Sequence, residues 1–282
     1  DAAKTMVRLQ TDLRIYNAMM GREVNFRPSD VSSALNDNDP SRYLKRLFGP
    51  GDEKVPEMIQ QENPILHFAV HNLLSYSEPI WQALGDRCVF IEIVRHPLYM
   101  IRQQALNMNN LLEDVRDFTV YYAYKGRELP YYIHGWEKDY LNSNSMERVI
   151  HFIDKLTHRT KVARKKLKEK YQAKLITIPF ELFVLNPEPW LKQIADVLET
   201  NIRDSTRVVM SEQNVPRKMV ADGIDMEIYK RCGWGPPQEG TTERDELRIR
   251  REDVVKEISN ELIPVLDRLN DEYEKMYWSP DT

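Results

Sequence analysis

Apolar positions along the chain alternate between short runs and helical stripes. Cys88-Val89-Phe90-Ile91-Glu92-Ile93-Val94 is β-branched and almost continuously apolar, the pattern of a central strand covered on both faces in a parallel sheet. Pro97 stops that strand and starts a helix through Tyr99, Ile101 and Arg102, because its fixed φ suits a first helical turn and its missing N–H ends a ladder. Two further runs read as strands, Pro64 to His71 and Ala173 to Ile178. With a helix over Asn72 to Leu84, the first of them and the Cys88 strand predict a βαβ unit.

Helical periodicity is clearest from Ser145 to Tyr171, where Val149, Phe152, Ile153, Leu156, Val162 and Leu167 share one face. Near the start, Met6, Leu9, Leu13, Tyr16 and Met20 form a stripe that Gly21 ends. Pro187 starts a helix from Trp190 to Leu198, and Glu243 to Tyr277 reads as a charged helical tail whose stripe is Val254, Ile258, Leu262, Val265 and Leu269. Residues 22–64 are polar and broken by five prolines, which predicts a cap over the sheet edge built of short helices such as Ser41 to Phe48. After a polar break over Leu111 to Asp117, Phe118 to Ile133 predicts a hairpin turning at Lys125-Gly126-Arg127. That insertion, 118–136, is crowded with Tyr121, Tyr122, Tyr124, Tyr131, Tyr132 and Trp136.

Composition narrows the classes. The 282 residues are 41% hydrophobic and 30% charged with a net charge of −4, which gives no global pull toward nucleic acid or anionic membranes. Any anion site must therefore be local. The basic run Lys161 to Lys170 is interrupted by Glu169 and reads as a solvated helix face, not a nucleic-acid interface. Two separated cysteines, Cys88 and Cys232, suggest neither a disulfide framework nor a metal knuckle. No apolar run reaches membrane-spanning length and no signal-peptide core is visible, so a cytoplasmic location is expected, although the chain opens on Asp1 and not on Met. One α/β domain over 1–282 fits this length.

Candidate chemistry gathers at strand ends. Ligands in open α/β sheets sit outside the carboxyl ends of strands, which is where Arg95 and His96 stand. The Lys4-Thr5 pair opens a helix, as the tail of a phosphate-cradling loop does. His67 and His71 share one strand face, and His71 falls at its carboxyl end. No third ligand stands near them, so no metal is expected. Gln213 to Gly223 is a basic loop carrying Arg217 and Lys218.

These residues carry a resemblance. IVRHPLYMIRQQ looks like the Arg-x-Pro strand-to-helix turn with which P-loop-type sulfotransferases hold the 3′-phosphate of 3′-phosphoadenosine 5′-phosphosulfate (PAPS), and IPFELFVLNPEPWLKQIADVL resembles that family's Tyr-Glu-Asp-Leu segment and following helix. The resemblance implies a P-loop NTPase-like parallel sheet flanked by helices, with the aromatic hairpin inserted and a helical C-terminal tail. It implies PAPS as co-substrate without a metal, and a hydroxyl or amine acceptor on a small molecule or glycan. By position it implies donor contacts from Ala3, Lys4, Thr5, Arg95, Phe180, Arg217 and Lys218. His71 becomes the general base, Lys4 a second catalytic group, and Tyr122, Tyr124, Tyr132 and Trp136 acceptor contacts. Gln103 stands where the family places a Ser, so the second phosphate contact falls to that amide, to Arg102, or to neither. Met219 stands where the family places a glycine. Two alternatives stay open: a small-molecule kinase using Mg-ATP, disfavoured because this strand ends in Arg-His and not in an Asp that could hold the ion, and a non-catalytic nucleotide-binding or scaffold protein. Oligomeric state is not legible.

Overall fold

The computed structural model describes residues 1–28, 33–37, 39–49, 51–70, 73–113, 120–223 and 230–280. The chain divides into two units, one of residues 1–90, 163–174 and 203–209, the other of residues 91–162, 175–202 and 210–282. Among the described residues no helix is long and apolar enough to cross a membrane.

The first unit opens with α1 (Ala2–Met19), closed at Gly21 with φ +71°. Glycine is required there twice over, by the left-handed backbone and because a Cβ would run into the backbone of α2 (Ser41–Leu47) at Tyr43 and Leu47. Next come α3 (Val55–Glu62), started by Pro56 and ended by a left-handed Asn63, and α4 (Glu78–Leu84). Met19, Met20 and Val55 form a small core with Ile15, Tyr16, Met58 and Ile59. The predicted cap is thus helical, and it packs on the end of α1. The stripe of α1 is only partly inward, since Met6, Leu9 and Leu13 are exposed.

Over residues 64–70 the expected strand Pro64 to His71 does not form. Residues 64–70 enter no ladder, with Ile65, Phe68 and Val70 exposed, and His67 is exposed where sheet packing was expected to cover it. An apolar run of this length satisfies a strand pattern, but only a partner edge can realise it, and none is present among the described residues. The predicted βαβ unit is therefore absent. His71 lies outside the described residues, as do Phe118 and most of the polar break before it.

Most of the elements that follow belong to the second unit, which begins within β1 (Val89–Val94), and β1 leads into α5 (Pro97–Glu113). A hairpin of β2 (Tyr121–Tyr124) and β3 (Arg127–Pro130) follows, in register Tyr121↔Pro130 to Tyr124↔Arg127. Lys125 and Gly126 turn it with φ of +48° and +77°, the two-residue primed turn that matches strand twist. After α6 (Glu137–Asn142) and α7 (Ser145–Tyr171), β4 (Lys174–Pro179) runs parallel to β1, and the two make a sheet of only two strands. The architecture is α/β as expected, but β1 is not central. Its Ile93 is 65% exposed, and among the described residues no third strand joins this sheet.

Three helices come next: α8 (Phe180–Leu185), α9 (Glu188–Val197) and α10 (Asp204–Glu212). The charged tail is two helices, α11 (Glu243–Val255) and α12 (Ile263–Met276), because Ser259-Asn260 interrupts it and Pro264 restarts it. α11 begins with a capping box between Thr242 and Asp245. Both helices pack on α5, over a core that includes Tyr99, Ile101, Tyr140, Ile150 and Leu266.

Two surface features resolve within single units. In the first, Glu78 of α4 gathers Lys166, Lys170 and the Tyr171 hydroxyl of α7, so part of the basic run neutralises this carboxylate. In the second, Tyr132 and Trp136 sit in the core with Trp136 Nε1 donating to the Tyr132 carbonyl at 3.1 Å, so these two assist the fold and are covered from an acceptor. Tyr122 and Tyr124 are half-buried, and the Tyr122 hydroxyl donates to Glu137 at 2.9 Å.

Candidate anion-binding site

The site grows from the two strand-to-helix turns of the small sheet. At the end of β1 the backbone N–H of His96 donates to Glu181 Oε1 at 2.9 Å, and Glu181, fully buried in α8 at the end of β4, also accepts from the Tyr273 hydroxyl of α12. A buried carboxylate without donors would cost several kcal/mol. Here two donors from distant segments satisfy it and so hold the β1 and β4 turns together. Burial, and then the charge of Glu181, push the Tyr273 phenol far above its ordinary range, so it stays a donor.

His96 itself is not an anion contact. Its ring is completely buried, edge-on to Tyr99, Tyr273 and Trp278. Nδ1 accepts the Leu98 N–H at 3.2 Å, and Nε2 lies 3.5 Å from Glu274. His96 and then Arg244 hold the Glu274 carboxyl below its usual range. Arg102, expected to turn toward the same edge, is instead paired with Asp253 and Glu257 of α11.

Arg95 points elsewhere. Its guanidinium carbon stands 4.5 Å from the centroid of the Phe180 ring, and that of Arg217 stands 5.7 Å from the same ring. Both are within cation–π range. The two arginines line one cleft of about 210 Å³ together with Tyr99, Asn214, Asp222, Trp234 and Arg250. Among the described residues the lining carries three guanidiniums and the Asp222 carboxylate, Arg250 being paired in turn with Glu246, and all these groups belong to the second unit.

The loop carrying Arg217 is fixed at both ends. Arg217 N–H donates to the Val184 carbonyl of α8 at 2.7 Å, and its Nη1 donates to the Val220 carbonyl at 2.9 Å. Val220 N–H donates to Glu243 of α11, whose other oxygen accepts the Tyr99 hydroxyl at 2.6 Å. Within the loop the Asp222 carboxylate accepts the Met219 N–H at 2.9 Å. Met219 needs no left-handed backbone, and the residue that takes one is Asn214, with φ +52°. The family's glycine is therefore not needed for this loop conformation.

Of the residues singled out in the sequence, Arg95, Phe180 and Arg217 come together. Lys218 is exposed and Gln103 is half-buried on α5, and neither lines the cleft. Ala3, Lys4 and Thr5 lie in the first turn of α1, in the first unit. Sequence reasoning missed Arg250, Trp234, Tyr99 and Glu243. Arg250 is one of several arginines in a charged helix and carries no local mark, and Trp234 stands in a Gly-Trp-Gly-Pro-Pro stretch legible only as loop.

No family model, curated protein or solved structure matches this chain. The cleft has to be read from its own chemistry.

Proposed function

We propose that the cleft holds the 3′-phosphate of PAPS and that the protein is a sulfotransferase acting on a hydroxyl or amine of a small molecule or glycan. One observation carries this reading: Arg95 and Arg217, two of the three cations that the resemblance assigns to the 3′-phosphate, share the Phe180 ring and line one cleft. Phe180 is the residue that the same resemblance sets beside the adenine. In this reading the β1–α5 and β4–α8 turns are carboxyl-end turns of a P-loop-type nucleotide fold.

The residues present suit such a group. A phosphomonoester is close to a dianion at neutral pH, which suits a lining with three arginines, and guanidinium is the side chain that meets phosphate with a rigid fork of donors. The reaction would break the S–O bond to the donor's 5′-phosphate and form one to the acceptor, with the acceptor's proton passing to a base. Such a transfer is catalysed largely by positioning and charge stabilisation. Lys4 and His71 enter this reading through the resemblance alone, as charge-stabilising group and general base.

Calorimetric titration with adenosine 3′,5′-bisphosphate, adenosine 5′-phosphate and Mg-ATP tests it. The bisphosphate is expected to bind best, and Arg95→Ala to weaken it by about 2–5 kcal/mol, as when one partner of a desolvated charge pair is removed. Preference for Mg-ATP, or indifference to the 3′-phosphate, would remove the proposal.

A further inference from the structure

Arg250 is held in an unusual way. Its Nε and Nη2 grip Glu246 Oε1 at 2.9 and 2.7 Å, one turn earlier on α11. Its guanidinium carbon stands 4.7 Å from the Tyr99 ring centroid and 4.3 Å from that of Trp234. One edge is thus engaged and two aromatic rings pack against the cation. The side chain is 8% exposed, it lines the cleft, and among the described residues its Nη1 has no hydrogen-bond partner. A buried guanidinium N–H without an acceptor is costly. Structural needs explain the Glu246 pair and the ring contacts, but they leave Nη1 unexplained. Arg95 shows the same feature, with Nε buried and lacking a hydrogen-bond partner among the described residues.

We propose that Arg250 is a third ligand of the phosphate group that Arg95 and Arg217 hold, and that three guanidiniums, set among the described residues against Asp222 and the Glu246 that pairs with Arg250, make the cleft selective for a phosphomonoester dianion over a singly charged sulfate ester. This rests on the reading of the cleft as a phosphate site. Its content is separate, because it assigns a ligand from α11 that no motif marks and it says which anion is preferred. The rigid clamp matters to the inference: Glu246 and the two rings hold the fork in place, so little side-chain entropy is lost when an anion is bound. Selectivity follows from charge. A phosphomonoester gains its second charge near pH 6, whereas a sulfate ester keeps one charge throughout.

The test uses the whole chain and three probes: adenosine 3′,5′-bisphosphate by calorimetry, and phenyl phosphate and phenyl sulfate by ligand-observed NMR. Arg250→Lys keeps the charge and loses the fork. Arg250→Met combined with Glu246→Gln removes the pair together and so leaves no lone buried carboxylate to unfold the helix, which thermal melting verifies. The wild type is expected to bind phenyl phosphate roughly tenfold or more tighter than phenyl sulfate at pH 7.5, with the preference shrinking as pH falls through about 6. Both variants should raise Kd for the bisphosphate, the double variant by roughly tenfold to a hundredfold, the loss expected for one hydrogen bond between charged groups. Wild-type affinity in both Arg250 variants, with affinity still lost in Arg95→Ala, would overturn the assignment of Arg250 and leave the donor reading standing. Arg250-dependent binding of phenyl phosphate without binding of the adenosine compound would support Arg250 and overturn the donor. A wild type that binds no phosphate probe would overturn both.

Discussion

The carboxylate of Glu181 accepts the backbone N–H of His96 across 85 residues of sequence, at 2.9 Å and in complete burial. This bond ties the turn bearing Arg95 to the turn bearing Phe180, so the distance between cation and ring is set by a group that touches neither. Glu181→Ala would strand the His96 N–H in the interior and leave the Tyr273 hydroxyl with the long bond to the Val94 carbonyl, at 3.4 Å. It is expected to lower unfolding stability by about 2–4 kcal/mol, with Glu181→Gln, which keeps an acceptor, losing less. Urea denaturation of the two variants checks this, and equal losses would contradict the clasp.

Phe180 is expected to act through its π face. Phe180→Tyr keeps a ring for Arg95 and Arg217 and should change bisphosphate affinity little. Phe180→Leu, of similar bulk without that face, should weaken it by about 0.5–2 kcal/mol. Indistinguishable affinities for the two variants would mean that the ring only fills space.

Glu243 holds the Arg217 loop shut through Val220 while anchoring Tyr99. In Glu243→Gln the carboxylate charge is gone and one of its two oxygens becomes an amide donor. Hydrogen exchange at the Val220 amide should accelerate by roughly tenfold, while that of Ile150 in the core should not change. Uniform acceleration at both sites would point to global destabilisation instead.

In the first unit, Lys166 first, and then Tyr171 and Lys170, hold the Glu78 carboxyl down at about 2 from an ordinary value of 4.5. Because the folded chain favours the ionised form, its contribution is complete above about 4.5 and is lost as pH falls toward 2. The stability gap between wild type and Glu78→Gln should therefore be widest near neutral pH and close on acidification. It should also narrow in high salt, since both lysines are solvent-exposed. A gap independent of pH would exclude the ion pairs as its cause.

Gly126 occupies the second position of the hairpin turn at φ +77° with open space around it, so only backbone strain opposes a side chain there. Gly126→Ala is expected to cost about 1 kcal/mol and Gly126→Val more, measured by thermal melting. A neutral Gly126→Val would show that the hairpin adds nothing to stability.

Local signals decided much of this chain. The 27 residues of α7 follow from an apolar stripe of which Val162 is left exposed, the β1–Arg95–α5 turn from a β-branched run met by Pro97, and the hairpin from Lys125-Gly126 between aromatic strands. In each the cause lies within a few residues of its effect: a period, a fixed φ, a residue that tolerates positive φ. Tertiary structure decided what needs a partner. The run at 64–70 has a strand's composition and, among the described residues, no edge to pair with, and Met6, Leu9 and Leu13 have a helix stripe that is left exposed. Tyr132 and Trp136 read as candidate acceptor contacts until packing placed them in the core. Arg250 looked like any arginine on a charged helix, and it reached the cleft only because α11 packs on α5 beside Tyr99. Burial, pairing and charge neutralisation are properties of contacts between distant segments, and the chain acquires them only when those segments meet.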